Sequence, residues 1–338
     1  MPTYWMISNR RINDGVPGIE RGPLTYWVSN QGPLDDFKNW RSATLDEFKN
    51  QLIAAADQFP TIEHGNNENQ SHVTFFVHGY NNGWQDAARR YETLCANLFS
   101  GDKSLGICIS FDWPSFGSIL GYLPDRERAR SCADDLANVL SELFDWLMLK
   151  QKASIKDPTQ ACKAKVSFIS HSMGNYLLQK AMAAAWTRKN QPLLVSLINQ
   201  LIMVAADVDN DLFESNAPDG SDGNAVANLT YRISVLYSGR DAVLGASAGL
   251  KHFGTRRLGR SGLSTCPPMG KDNVWEVDCS GFFPASLGSM DIHSAYFGPY
   301  DTLPLMRDIL RGIDRSVLYS LGQTRGTVWL SQSIPVSN

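Results

Sequence analysis

No stretch of this 338-residue chain approaches the length of apolar sequence that a membrane span needs, and Met1-Pro2-Thr3-Tyr4-Trp5 lacks the basic region and apolar run of a secretory signal. A cytoplasmic protein without a transmembrane segment is the expectation. Cysteine is sparse: six residues, Cys95, Cys108, Cys132, Cys162, Cys266 and Cys279, with no C-x-x-C spacing. That usage fits buried thiols rather than a disulfide scaffold, with a Cys266–Cys279 bridge left open. There is no H-E-x-x-H, no tight histidine cluster and no phosphate-cradling glycine loop, so neither a metal nor a cofactor is expected. Nor is there a basic excess: the net charge is −3 and the lysines and arginines are scattered, which argues against a nucleic-acid partner. Internal repeats and low-complexity tracts are also absent. The length fits one large α/β domain over 1–338, read as an N-terminal extension with edge strands and one helix (1–60), a core (61–313) and a C-terminal tail (314–338). The oligomeric state is open.

Against these absences stands one stretch, Val166 to Leu178. Apolar residues alternate up to Ser170, then recur at helical spacing through Leu177, Leu178 and Ala181, so the period switches at Ser172. A buried strand, an abrupt turn and a helix are implied, with Ser172 presented on the turn. Ser170-His171-Ser172-Met173-Gly174 departs from the G-x-S-x-G nucleophile elbow only at its first position, where the small Ser170 can still let strand and helix approach. An ordinary helix-capping serine would read the same way in isolation.

Around this stretch the chain alternates strand and helix. Tyr4–Ser8 and Leu24–Ser29 read as strands opening the sheet as an antiparallel edge. Thr44-Leu45-Asp46-Glu47 is a capping box ahead of a short amphipathic helix. The Asn-rich loop after it carries His64, with His72 at its end; both are expected to be solvated. The apolar run Val73–Val77 fits a strand covered on both faces, followed by His78-Gly79-Tyr80-Asn81-Asn82-Gly83 and a helix over 84–99. Strand 106–111 leads into Asp112-Trp113-Pro114-Ser115-Phe116, and a long helix spans 126–150. Strands at 201–206, 231–237 and 273–279 follow, then Asp291-Ile292-His293 and a closing helix over 302–313.

A serine hydroxyl needs an imidazole to take its proton and an acid to hold that imidazole in the right tautomer. Ser172, Asp241 and His293 supply these in chain order, each just past an expected strand, so parallel strands would bring all three to one sheet edge. The backbone N–H groups of Tyr80 and Met173 are candidates for an oxyanion hole. His78, His171 and His252 are weaker candidates for the base. Asp207, then Asp209 and Asp112, compete with Asp241 for the acid. Asp291, two residues from His293, is assigned a local or structural role. The aromatic loop residues read equally as core or pocket.

Phe76-Val77-His78-Gly79-Tyr80-Asn81-Asn82, Trp113-Pro114-Ser115 with Gly117, Tyr122 and Asp125, His171-Ser172-Met173-Gly174-Asn175, Ala206-Asp207-Val208-Asp209, and His293-Ser294 with Tyr296-Phe297 together resemble an α/β-hydrolase, and more narrowly a bacterial branch of that superfamily catalogued as a domain of unknown function. The resemblance covers roughly 73–300. It implies an α/β fold with a mostly parallel central sheet flanked by helices on both faces, Ser172 as nucleophile, Asp241 as acid, His293 as base, and ester hydrolysis as the default activity. The short segment between the strands at 201–206 and 231–237 leaves no room for a large lid domain. Gly79, Trp113, Phe116, Tyr122 and Phe283 are then expected around a small-molecule or lipid-like ester, with the pocket shaped by the loops at 113–122 and 244–270. The run Arg256-Arg257-Leu258-Gly259-Arg260 reads as a solvated face or a greeting for an acidic group. Amide, thioester or phospholipid cleavage on the same three residues, and a non-catalytic binding protein on the same scaffold, are the rivals.

Overall fold

A computed structural model describes residues 3–60, 70–80, 82–115, 122–188, 196–251 and 254–318. Strands β1 (Tyr4–Asn13), β2 (Val16–Ser29) and β3 (Arg41–Ala43) precede helix α1 (Leu45–Asp57). Then strands and helices alternate: β4 (His72–Val77), α2 (Trp84–Leu98), β5 (Gly106–Asp112), α3 (Tyr122–Lys156), β6 (Lys165–His171), α4 (Gly174–Arg188), β7 (Ile198–Val204), α5 (Gly220–Leu229) and β8 (Thr230–Tyr237). Short helices α6 (Ala242–Ala246) and α7 (Leu258–Ser261), strand β9 (Val274–Asp278), and helices α8 (Ile292–Ala295) and α9 (Thr302–Leu310) close the described chain.

The strands form one sheet in the order β3-β2-β1-β5-β4-β6-β7-β8-β9, parallel except for the β1–β2 and β2–β3 pairs. The chain leaves β4 for β5 on one side and returns to β6 on the other. That reversal opens a crevice at the carboxyl ends of β4 and β6, where sheets of this class bind ligands. Alternate residues of the continuous apolar strands enter two cores. Val73, Phe75, Val77 and Phe168 pack beneath α1, α3, α4 and α5, while Phe76, Ile169, Ile202 and Val204 meet α2, α6, α8 and α9. Helices on both faces are therefore required by the strand composition.

Local signals place the boundaries. Thr44 and Glu47 form the reciprocal capping box at the start of α1. Asp14 and Gly15, both at positive φ (50° and 79°), make the tight turn between β1 and β2. α3 starts at Tyr122, ahead of the expected 126, because Pro124 falls in the first turn, where no N–H is needed.

Two expectations are corrected. Tyr4–Ser8 is not at the sheet edge: β1 lies between β2 and β5, pairing in parallel with β5 from Trp5↔Ile109 to Ser8↔Asp112. Its consecutive buried Trp5, Met6 and Ile7 need cover on both faces, which an outermost strand would not have. The edge is the three-residue β3. His72 is not solvated either. It is fully buried on β4 with Nδ1 2.9 Å from Ser167 Oγ, and the last 20 residues of the sequence lie outside the described part. Among the described residues no helix is long and apolar enough to cross a membrane.

Burial, with Lys165 nearby, lowers His72 from its ordinary 6.5 to about 3. Between those values the unfolded chain holds a proton that the folded chain refuses, so stability falls as pH drops from 6.5 toward 3. Urea unfolding across this range should lose on the order of 1.4 kcal/mol per pH unit from this group at its steepest. A His72→Gln variant should show a shallower pH dependence; an unchanged slope would remove His72 as its source.

Candidate active site

β6 stops at His171 and α4 begins at Gly174, leaving Ser172 on the turn at φ 53°, a left-handed conformation costly for a residue with a side chain. The turn is pinned by hydrogen bonds. Ser172 N–H donates to Val204 O (3.0 Å), and Ser172 O accepts from the N–H groups of Asp207 and Asn175 (both 3.1 Å). The Asn175 side-chain amide donates to Ser170 O and Ser172 O. Two glycines allow the close approach. A Cβ on Gly174 would stand 2.5 Å from His78 O, and one on Gly79 would stand 2.7 Å from Ser172 Cβ.

Asp241 follows β8 and caps α6, with Oδ1 accepting from Leu244 N–H at 2.9 Å. Its Oδ2 is 2.7 Å from His293 Nδ1, and His293 Nε2 is 2.8 Å from Ser172 Oγ. The three side chains thus form one continuous hydrogen-bonded line at the carboxyl edge of the sheet. A carboxylate can only accept, so Nδ1 carries the proton and the Nε2 lone pair faces the serine hydroxyl.

His171 serves a different part of the site. Its Nε2–H donates to His293 O at 2.8 Å, while Nδ1 accepts from Arg90 Nη1 at 2.9 Å. Burial, reinforced by Arg90, holds this imidazole well below its ordinary pKa, which keeps it neutral and the two roles distinct. The backbone that carries His293 is thereby tied to β6 and α2.

The loop after β4 rests on a buried polar network. The Trp113 indole stacks on His78 at 5.4 Å, donates from Nε1 to His78 O (2.8 Å), and the Trp113 backbone N–H reaches His78 Nε2 (3.1 Å). Asp112 pairs with Arg10 of β1 at 2.8 Å, and Arg10 also donates to Asn82 O at 3.2 Å. Burial alone would raise the Asp112 carboxyl; Arg10 and His78 override it and hold it below its usual range. This network fixes the segment that carries Gly79 and Tyr80 beside the elbow.

A cavity of about 660 Å³ opens over Ser172 and His293. Tyr80 and Tyr122 line it, edge to face at 5.5 Å, and Gly79 packs beneath Ser172. Trp113 and Phe283 do not. Trp113 is fully buried against His78, and Phe283 packs on Tyr296 and Tyr300, so both are core rather than pocket. Phe116, like His252, lies outside the described residues. The walls also differ from the expected loops: besides Tyr122 and Leu244 to Ser247 they include Asp86, Arg89 and Arg90 of α2 and residues from Met290 to Gly298.

The rival acids are engaged elsewhere. Asp207 binds Arg257 Nε (2.9 Å), Ser247 (2.9 Å) and the Tyr122 hydroxyl (2.8 Å), Asp209 binds Arg257, and Asp112 binds Arg10. Burial opposes the Asp207 charge, but Arg257 and Arg126 keep its carboxyl below the usual range. Arg257 is therefore a buried counter-ion, and the solvated-face reading of its run is corrected at that position. Arg260 donates to Asp241 O. No disulfide joins Cys266 and Cys279. Among the described residues no group of His, Cys, Asp or Glu is arranged to hold a metal ion. Sequence reading missed Arg90 and Arg10, and weighed His171 only as a base rather than as the group that holds the His293 backbone. The only signal for Arg90 was its place in the stripe Asp86, Arg90, Thr93 on the polar face of the amphipathic α2.

Residues 54–273 match the family described as alpha/beta hydrolase of unknown function (DUF900). The chain belongs to that family. The DUF900 match takes in Ser172 and Asp241 and ends before His293. No curated protein matches this DUF900 chain. The solved structures that resemble it distantly include a peptidase and an esterase. The Pyrococcus horikoshii acylaminoacyl peptidase is 13% identical over 94% of this chain and 48% of that one, with a TM-score of 0.33. The Pyrobaculum calidifontis esterase is 10% identical over 84% of this chain and 96% of that one, with a TM-score of 0.34. The DUF900 chain spans about half the length of the peptidase.

Removing one partner of the fully buried Arg10–Asp112 pair leaves an uncompensated charge under the Gly79 loop. Arg10→Met should lower unfolding free energy in urea by about 3–5 kcal/mol. A loss below about 1 kcal/mol would mean that the loop stands without the network.

Proposed function

We propose that this α/β-hydrolase is a serine hydrolase that cleaves a carboxylic ester through an acyl-enzyme, acting on a small-molecule or lipid-like substrate. One observation carries the reading: the line Asp241–His293–Ser172, with contacts of 2.7 and 2.8 Å, ends on a serine held at φ 53° in a cavity.

Ser172 Oγ attacks the ester carbonyl carbon as its proton passes to His293 Nε2. Asp241 keeps the imidazole in the tautomer that can accept this proton and stabilises the imidazolium that results. The carbonyl π electrons move onto oxygen, and the backbone N–H groups of Met173 and Tyr80 are the donors assigned to it. Met173 N–H meets no protein acceptor among the described residues, which supports its part. Collapse of the intermediate expels the alcohol, protonated by His293. Water, deprotonated by the same imidazole, then attacks the acyl carbon, and the serine departs with its proton restored. Each oxyanion donor is worth on the order of 3 kcal/mol to such a transition state.

Intact-mass analysis after exposure to a fluorophosphonate should show one adduct on the wild type and none on Ser172→Ala. Hydrolysis of p-nitrophenyl esters should vanish with the same change, and Asp241→Asn should lower kcat by on the order of 10⁴ with the fold intact. A folded wild type that neither labels nor hydrolyses would leave a binding protein on the hydrolase scaffold.

A further inference from the structure

Among the described residues, the charged side chains around the catalytic cavity are matched by opposite charges, except one. Asp86 is bound by Arg89 at 2.5 Å, and Arg89 also reaches Asp35 at 2.7 Å. Asp207 is matched by Arg257 at 2.9 Å. Arg90, half-buried on α2 and lining the same cavity as Ser172 and His293, forms no ion pair with a carboxylate among the described residues. Its two hydrogen bonds are to neutral groups, Nη1 to His171 Nδ1 at 2.9 Å and Nη2 to Ser294 Oγ at 3.1 Å, and its guanidinium lies over the Phe297 ring at 5.9 Å, a contact that supplies no negative charge. The hydrogen bonds use two of the five N–H donors of a guanidinium. Burial presses against this charge, with Asp86 the one carboxylate that eases it.

A half-buried cation without a counter-ion is costly to keep, and positioning His171 does not require one, since a neutral amide could donate to Nδ1 equally well. The planar guanidinium fork matches a carboxylate in two-point contact. Its place is also specific. Arg90 touches His171, whose other nitrogen holds the backbone of His293, and His293 reaches Ser172. An anion on the open side of Arg90 would therefore lie in the cavity beside the scissile bond, on the α2 wall.

We infer that Arg90 forms an anion subsite of this cavity and that the ester cleaved carries a carboxylate. This rests on the proposed hydrolase activity and names its substrate class. The carboxylate comes either from the acyl part, as in the half-ester of a dicarboxylic acid, or from the alcohol part, as in an acylated hydroxy acid. Arg90 supplies the charge match and the orientation, so the preference resides in the cation rather than in the size of the pocket.

Two substrate pairs test it: p-nitrophenyl hydrogen glutarate against p-nitrophenyl pentanoate, and 4-acetoxybenzoate against its methyl ester. In one pair the wild type should favour the anionic member in kcat/KM by about tenfold or more. Arg90→Met should bring that ratio to about one, while Arg90→Lys, which keeps the charge without the fork, should retain part of it. The pair that responds identifies the side of the ester that bears the charge. If Arg90 only positions His171, both members of each pair will slow together with the ratio unchanged, and the subsite is overturned. A wild type that hydrolyses both members of both pairs equally overturns it too. Monomethyl glutarate binding to Ser172→Ala, read as a rise in Tm absent from the Ser172→Ala/Arg90→Met double variant, separates the two readings. A rise without turnover by the wild type would keep the subsite and sink the hydrolase; turnover of neutral esters without the rise would do the reverse.

Discussion

Everything at the carboxyl edge of the sheet depends on one backbone residue being held where serine does not go by itself. A left-handed serine costs about 1–3 kcal/mol, and the surroundings must over-determine it. Val204 and Asp207 clamp its N–H and C=O from the neighbouring strand and the segment after it, Asn175 stitches the turn from the helix side, and Gly79 and Gly174 leave the space that any side chain would fill. The same clamp turns the hydroxyl out of the sheet toward His293. The strained turn and the hydrogen bond to His293 therefore share one set of contacts, so a change that relaxes the turn also moves the Ser172 hydroxyl away from His293.

A second theme is buried charge used as a strut. Arg10–Asp112 and Arg257–Asp207 each join segments distant in sequence, one beneath the Gly79 loop and the other beneath Tyr122 and Ser247. Such pairs add little net stability over an apolar filling, yet losing either member is severe. Their effect is geometric: two segments that line the cavity are fixed from beneath.

How far the sequence led differs from residue to residue, for physical reasons. The change from a period of two to one of 3.6 at Ser172 is local information, and so were the continuous apolar strands that demand helices on both faces. The residues picked out at 172, 241 and 293 meet because parallel strands deliver successive turns to one edge. Trp113 and Phe283 were misplaced because an aromatic after a strand has the same local pattern whether its ring faces a pocket or a neighbour's ring; only tertiary packing decides. His72 looked solvated beside an Asn-rich loop, but strand pairing with Lys165 carries it inside. Arg90 and Arg10 drew no reading from the sequence, since the partners that distinguish them lie scores of residues away.

The position of β1 also bears on how the molecule is assembled and divided. Its parallel partner β5 is made about a hundred residues later, so on a growing chain the first strand emerges long before the edge that receives it. A fragment cut to the family boundaries would leave that edge bare, strip Asp112 of its guanidinium and omit His293 as well. Residues 4–13 can take their place beside β5 only once that later strand exists.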